Sequence, residues 1–391
     1  MSTKIKVSAL TTTRADYGLL RWVLRALSES SCFSLDLLVG GAHLADAQGH
    51  SLAEIEADGF DIAALLPAAP DQDTAARAVA FAAETAVALS AALDRIRPDW
   101  LVVLGDRFEI LAPVQAAVLH RVPVCHLCGG DITEGAIDDG FRHAISKLAH
   151  MHCPTTQLAA QRLRAMGEPE DRIFVTGSPG LDGLRLVPEI THGELCRELA
   201  LDGKSKLICV TFHPETLSEQ NPADQIAAVL GALDEPPACN AEIVFTGANI
   251  DPGGQAIMQA IERYVGSHGN TRLRRSLGQS MYFGLLRHAD VVVGNSSSGL
   301  YEAPSFGVPT VNIGDRQKGR IRAESVIDCA CQSREIGTAI QKALLRGRRM
   351  VANPYGDGFA GRRITEALQH MSRRTRSDVL RKTFSPLAPG R

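Results

Sequence analysis

The chain has 391 residues, 45% apolar and 22% charged, against roughly 100 to 200 residues for one domain, so two folded domains are expected and wholesale disorder, collagen-like repeats and a long coiled coil are disfavoured. Lys plus Arg (41) nearly balances Asp plus Glu (44), leaving a net charge of −3 and no global field for a nucleic acid or a membrane, so an anionic partner must be held locally. No run approaches the roughly 20 apolar residues of a membrane span, the start carries no signal-peptide pattern, and nine thinly spread cysteines read as reduced thiols, so a cytoplasmic protein is expected.

In chain order, short β-branched runs alternate with longer helical patterns, the signature of a parallel sheet wrapped by helices. Strands are predicted at Ile5 to Leu10, Phe33 to Val39, Trp100 to Leu104, Val122 to His126 and Ile173 to Val175. Helices are predicted at Tyr17 to Leu27, Thr74 to Ile96, Glu109 to His120, Ala136 to Ala149 and Leu158 to Met166. The pattern pauses over Gly177 to Gly203 and restarts with strands at Lys206 to Thr211, Glu242 to Thr246, Val291 to Gly294 and Pro309 to Ile313. Two Rossmann-like α/β domains follow from this, residues 1–182 and 183–360. A helix near Gly361 to Met371 and a basic tail over Arg373 to Lys382 come last, the tail either frayed or packed back on the first domain. Tandem open sheets of this kind present ligands at the carboxyl ends of their strands, so chemistry is expected in a cleft between the domains.

The polar motifs nearly all follow a predicted strand. Thr11-Thr12-Thr13-Arg14-Ala15-Asp16 opens a helix, where free amides and Arg14 can receive a phosphate; the alternative is a surface Arg14 paired with Asp16. Gly105-Asp106-Arg107 offers Asp106 either as an acid or base or as a helix cap. The densest cluster runs from Cys125 to His143. In it Ile137, Phe141, Ile145 and Leu148 form an expected buried stripe, with Asp138/Arg142 and Asp139/His143 as i,i+4 pairs on other faces, next to Asp131. Cys125-x-x-Cys128 has no second Cys pair at ligand spacing, so zinc is disfavoured and no metal or cofactor is expected.

Further along, His213 follows the first strand of the second domain, where it can change charge near neutral pH and stabilise a departing phosphate as imidazolium. Asn295-Ser296-Ser297-Ser298-Gly299 reads as a small-residue turn that offers hydroxyls and amides to a diphosphate, and Glu302 one turn later can accept two ribose hydroxyls. It lacks the Gly-Lys-Ser/Thr ending of a triphosphatase loop. Arg316, Lys318 and Arg320 add cations beside it. Cations and turns from one domain and carboxylates from the other suit an anionic leaving group joined to a polar substrate.

These residues together resemble the hydrolysing UDP-N-acetylglucosamine 2-epimerases of sialic and legionaminic acid biosynthesis. The match covers Thr11-x-x-Arg14-Ala-Asp16, Gly105-Asp106-Arg107-Phe108, Gly129-Gly130-Asp131 to His143, Gly177-Ser178-Pro179, His213-Pro214, the serine turn, and Asn312 to Arg320. The resemblance implies a glycosyltransferase-B-type fold, a UDP-sugar substrate, no metal, and a homo-oligomer. It implies that Ser296, Ser297, Ser298 and Arg14 hold the diphosphate, Glu302 the ribose, and the stretch around Phe283 and Leu285 the uracil. Arg107, Arg142, His143, Arg316 and Arg320 join the substrate-binding set. Asp106, Asp131, Asp138 or Asp139, and His213 would surround the sugar. Asp131 stands where the family usually has Glu, one methylene longer.

The chemistry suits these residue types. The carbon 2 hydrogen of a hexosamine is not acidic until the bond from carbon 1 to the diphosphate stretches. His213, Arg14 and the serine turn are therefore expected to stabilise departing UDP while Asp131 or Asp106 takes the carbon 2 proton, giving a glycal. Water then adds at carbon 1, and a proton returns to the opposite face of carbon 2. N-acetylmannosamine from UDP-N-acetylglucosamine is the expected product. UDP-N,N'-diacetylbacillosamine is the alternative substrate, and a glycosyltransferase or a non-catalytic UDP-sugar sensor are the competing readings.

Overall fold

The computed structural model describes residues 4–45, 51–70, 74–134, 137–215, 218, 220–247, 253–275 and 277–385. Gly135 and Ala136 of the Cys125 to His143 cluster, and the residues after Ser385, lie outside them. The chain divides into two units. Met1–Ile132, Ile137–Gly183 and Tyr355–Arg391 make the first, and Thr133–Ala136 with Leu184–Pro354 the second.

The first unit is built from β1 (Ile5–Thr11), α1 (Arg14–Glu29), β2 (Phe33–Gly41), α2 (Leu52–Ala57), β3 (Ile62–Ala68), α3 (Ala75–Ile96), β4 (Trp100–Leu104), α4 (Phe108–Leu119), β5 (Val124–Leu127), α5 (Asp138–Leu148), β6 (Met151–Cys153) and α6 (Gln157–Ala165). Its strands form a six-stranded sheet in the order β3-β2-β1-β4-β5-β6, each pairing parallel. Helices on both faces explain why β4 is buried along its whole length and reads as an unbroken apolar run. Thr13, Thr74 and Thr156 cap α1, α3 and α6 through their side chains.

After α7 (Gly183–Leu186), the second unit holds α8 (His192–Leu199), β7 (Leu207–Thr211), α9 (Pro222–Leu233), β8 (Glu242–Thr246), α10 (Gly254–Ser267), β9 (Thr271–Arg274), α11 (Gly278–His288), β10 (Val291–Gly294), α12 (Ser298–Tyr301), β11 (Thr310–Ile313), β12 (Val326–Cys329) and α13 (Ser333–Arg346). Its parallel sheet has the order β12-β11-β10-β7-β8-β9. That is the same doubly wound order as in the first unit, read from its own first strand.

The chain then returns to the first unit as α14 (Ala360–Met371) and α15 (Arg376–Leu380). Ile364, Leu368 and Met371 complete the core around Leu20, Leu24 and Leu27, and the Asp182 carboxylate accepts the Ala360 and Gly361 amides at 2.8 and 2.7 Å. Arg172 ties down α15 by donating to the carbonyls of Val379 (2.6 Å) and Asp378 (2.8 Å). Lys382 donates to Ala149 O and the buried Glu168 carboxylate at 2.8 and 2.9 Å.

Three expectations are corrected here. Ile173 to Val175 is not a strand; Ile173 makes only an isolated bridge to His152, and the sheet's edge is β6 instead. Among the described residues one helix, α3, is long and apolar enough to cross a membrane by length and composition, with a mean hydropathy of 1.4 over its most apolar window, where the sequence reading found no such run. Its Ala content hides this apolarity, and Leu89 and Leu93 anchor it in the core beside α4's Ile110 and Val114. Finally, the expected stripe on α5 is buried only in part: Ile145 is fully buried and Leu148 packs against the core, but Ile137 is 73% exposed, while Arg142, expected on another face, is 3% exposed because two carboxylates and the Asp131 carbonyl receive its guanidinium.

Candidate functional site

In the first sheet the chain leaves β1 toward β2 and β4 toward β5, so the crevice between β1 and β4 is its topological switch point; β7 and β10 play that part in the second. The sequence motifs follow these strands. The turn after β1 and Asp106 flank the first switch point, and His213 and the serine turn flank the second.

The turn after β1 is already filled. Asp16 Oδ2 accepts the Thr12 amide, the Thr12 hydroxyl and the Thr13 amide, all at 3.0 Å, so these amides are not open to a phosphate as the sequence suggested. Arg14 does not pair with Asp16. It lies 3.6 Å from Glu54, and its side chain is 56% exposed, which leaves it free to turn toward an anion.

Around α5 the carboxylates converge on one cation. The Arg142 guanidinium donates to Asp106 Oδ2, to Asp139 Oδ1 at 2.9 Å and to the Asp131 carbonyl at 2.9 Å. Arg142 thus reaches Asp139, three residues back, and His143 lies 3.4 Å from the same carboxylate. Asp106 caps no helix, since the N-cap of α4 is Arg107, whose side chain turns to Glu109 at 2.5 Å. Burial, reinforced by the negative charge of Asp106, pushes the Asp138 carboxyl above its usual range.

Asp131 is 8% exposed, and both its oxygens lie within reach of the Thr155 hydroxyl, at 2.9 and 3.0 Å. The Gly129-Gly130 turn carries it. Gly130 has φ +78°, and a β-carbon there would come within 2.3 Å of the Ala159 carbonyl, so only glycine fits. Beneath the turn, His126 Nε2 lies 2.7 Å from the Gly105 carbonyl and Nδ1 3.0 Å from the Ser146 hydroxyl. A carbonyl only accepts, so Nε2 carries the proton. Burial pushes His126 down to about 3; it is a neutral strut that holds the residue before Asp106.

In the second unit, His213 is 6% exposed, and burial, with the Arg316 cation beside it, pushes it down to about 3. The unliganded protein therefore holds it as a neutral imidazole at pH 7, not as the expected imidazolium; a bound diphosphate would draw it back upward. Ser296, Ser297 and Ser298 are partly exposed at the start of α12. Glu302 follows, its carboxyl pushed up by burial, and its Oε2 is buried with no hydrogen-bond partner among the described residues. A buried acceptor left unmatched is costly, so a hydroxyl donor brought to this oxygen would be favoured. Arg316 donates to the Asn295 carbonyl at 3.2 Å, and Arg320 stacks 5.5 Å from the Tyr301 ring. Phe283 and Leu285 are 4% and 0% exposed and pack in the core with Phe306, so their side chains are not presented to a base.

Residues 25–369 match the family model described as UDP-N-acetylglucosamine 2-epimerase. The chain belongs to this family. A UDP-N,N'-diacetylbacillosamine 2-epimerase (hydrolyzing) of Legionella pneumophila is 35% identical over 93% of this chain and 95% of its own. A UDP-N-acetylglucosamine 2-epimerase of Neisseria meningitidis is 30% identical over 90% and 91%. Among solved structures, a putative UDP-N-acetylglucosamine 2-epimerase from Listeria monocytogenes superposes with a TM-score of 0.80 at 21% identity, over 99% of this chain and 100% of that one. The Neisseria meningitidis UDP-GlcNAc 2-epimerase bound to UDP-GlcNAc superposes with 0.78 at 19%, over 94% and 100%. The fold is thus of the glycosyltransferase-B type, with two Rossmann-like domains, and the chain is an epimerase.

Thr155 and Ser146 were not singled out by the sequence, and His126 drew notice only beside Cys125 and Cys128 as a zinc ligand, a reading that was disfavoured. Thr155 follows β6, which the strand pattern had not located, and His126 lies inside a strand, where a histidine ordinarily passes for core.

Proposed function

We propose that this epimerase is hydrolysing: it converts a UDP-linked 2-acetamido sugar and water to UDP and the free 2-epimer. The observation that carries the reading is the carboxylate cluster on Arg142, with Asp138, whose carboxyl burial pushes above its usual range, beside it. A protein that only bound a UDP-sugar has no use for it. The serine turn, Arg14 and Arg316 take the diphosphate, and Glu302 takes the ribose hydroxyls through its unmatched oxygen. As the carbon 1–oxygen bond breaks, its electron pair leaves with UDP, and His213 donates a hydrogen bond to the departing phosphate. A carboxylate takes the carbon 2 proton, forming the carbon 1–carbon 2 double bond. Asp138 is the favoured base, in place of the Asp131 or Asp106 expected from sequence, because Asp106 is bound to Arg142 and Asp131 to Thr155. Water then adds hydroxyl to carbon 1, and a proton is delivered to carbon 2 from the opposite face.

The 4-acetamido sugar, UDP-N,N'-diacetylbacillosamine, is the better supported substrate, since a relative named for it from Legionella pneumophila and one named for GDP/UDP-N,N'-diacetylbacillosamine from Campylobacter jejuni are both 35% identical. UDP-N-acetylglucosamine, favoured by the sequence reading, is supported by the 30% identical Neisseria meningitidis relative. The test supplies each sugar without an acceptor in deuterium oxide. Release of UDP and a free 2-epimer carrying deuterium at carbon 2 is expected, faster from the 4-acetamido sugar. Product without deuterium would exclude the glycal route, and no UDP release from either sugar would exclude hydrolysis.

The same reading extends to the setting. The nine free thiols suit the reducing cytoplasm, where nucleotide sugars are made. Val79 and Val87, 71% and 72% exposed on the apolar α3, suit a contact with a second copy of the chain. Light scattering should give a multiple of the 41.9 kDa chain mass that Val79→Glu with Val87→Glu dissociates; a monomeric wild type would end that reading.

A further inference from the structure

Asn295 opens the serine turn yet is completely buried, so its side chain cannot serve a ligand directly. It is spent on His213. The His213 amide donates to Asn295 Oδ1 at 2.7 Å, and Asn295 Nδ2 donates back to the His213 carbonyl at 2.8 Å. One side-chain amide therefore fixes the peptide groups on both sides of His213, and with them the direction of its Cα–Cβ bond. Pro214 restricts the same backbone from the other side.

The backbone of Asn295 is held separately. Its amide donates to the Thr211 carbonyl at 3.2 Å, and its carbonyl accepts from Gln317 Nε2 at 2.8 Å and Arg316 Nη1 at 3.2 Å. Gly294 permits this closeness: its φ is +139°, and a β-carbon there would meet the Thr211 carbonyl at 1.9 Å. The turn's position thus rests on Asn295's main chain and the aim of His213 on its side chain.

We propose that Asn295 is a positioning residue, whose side-chain amide clasps the backbone of His213 so that the imidazole is held in register with the phosphate-binding serine turn. The proposal rests on the assignment of His213 to the departing phosphate. Misplacing a reacting group by about 1 Å costs on the order of 100-fold in rate, so the clasp acts on turnover. Removing the side chain leaves the main-chain anchors of the turn intact, and nucleotide binding should survive.

The test is a double-mutant cycle of Asn295→Ala with His213→Ala, reading kcat with the UDP-sugar and UDP affinity by calorimetry. Alone, Asn295→Ala should lower kcat on the order of 100-fold and change UDP affinity by less than about threefold. In the His213→Ala background its further effect on kcat should stay within about twofold. Losses that multiply, or a fall in UDP affinity as large as the fall in kcat, would reduce Asn295 to a general structural role and overturn the proposal. If Asn295→Ala does not fold, the near-isosteric Asn295→Asp, which keeps the acceptor but loses the donor, is carried through the same kcat cycle and decides in the same way. Near-normal turnover of His213→Ala alone overturns the role of His213 itself and this inference with it, whereas multiplicative losses with an impaired His213→Ala overturn only the positioning.

Discussion

Glu302 and Asp138 are each set by burial, toward different ends. Glu302 keeps a buried oxygen unmatched, so a ligand hydroxyl gains more there than at an open surface. Glu302→Gln, which weakens that acceptor, should lower UDP affinity about tenfold, or about 1.4 kcal/mol, in a calorimetric titration; unchanged affinity would remove it from the nucleotide site. Asp138→Asn removes the carboxyl that burial and Asp106 push upward and should lower kcat by about 100-fold or more with UDP still bound. Activity near that of the wild type would return the role to Asp131 or Asp106. Both residues were legible in the sequence because each belongs to a polar motif that follows a strand, the serine turn for Glu302 and the Cys125 to His143 cluster for Asp138. The contacts of the neighbouring carboxylates were not: Arg142 meets Asp106 from 36 residues away and Thr155 meets Asp131 from 24, and only strand adjacency brings them together.

Among elements, the central strands were read correctly and the edges were not. Strands β3, β6, β9 and β12, all unrecognised in the sequence, are the four edges of the two sheets. A strand covered on both faces must be apolar throughout, which is conspicuous; an edge strand can carry Arg272 and Arg274 in β9 or Asp328 in β12 and loses that signature. The tail was open between two states for the same reason, since its basic residues resemble a solvated run until Arg172 and Glu168 are seen to receive it. Arg172, 4% exposed, makes those bonds to α15, and Arg172→Ala should destabilise the first unit by about 2 to 4 kcal/mol in a denaturant titration. An unchanged midpoint would mean that α15 is held by its apolar contacts alone.

For the whole molecule, acid sensitivity follows from its buried histidines. Burial holds His126 and His213 at about 3, and burial with the Lys382 charge holds His150 at about 4, against 6.5 unfolded. Because the folded values are lowered, the unfolded chain binds more protons between those limits. The contribution is complete above pH 6.5 and is lost as pH falls toward 4 and 3, at about 1.4 kcal/mol per pH unit for each histidine. Glu168 acts in the same direction at lower pH: burial alone would raise it, but His152, Lys147 and Lys382 outweigh burial and hold it at about 2. Melting temperature should therefore fall steadily from pH 6.5 to pH 5, and His126→Gln should flatten that slope; a flat profile in the wild type would contradict the buried neutral state.

What the sequence determined alone was local: alternating strand and helix periods that specify two doubly wound units, and polar motifs at strand ends that mark where a ligand is received. Tertiary structure decided how those motifs are wired. It filled the Thr11–Asp16 turn with the protein's own carboxylate, turned Arg142 inward onto three acidic residues, kept His213 neutral, and joined Asn295 to His213 across 82 residues. The physical reason is that periodicity and turn chemistry act within a few residues, whereas hydrogen-bond partners and desolvation depend on which strands become neighbours in the folded sheet.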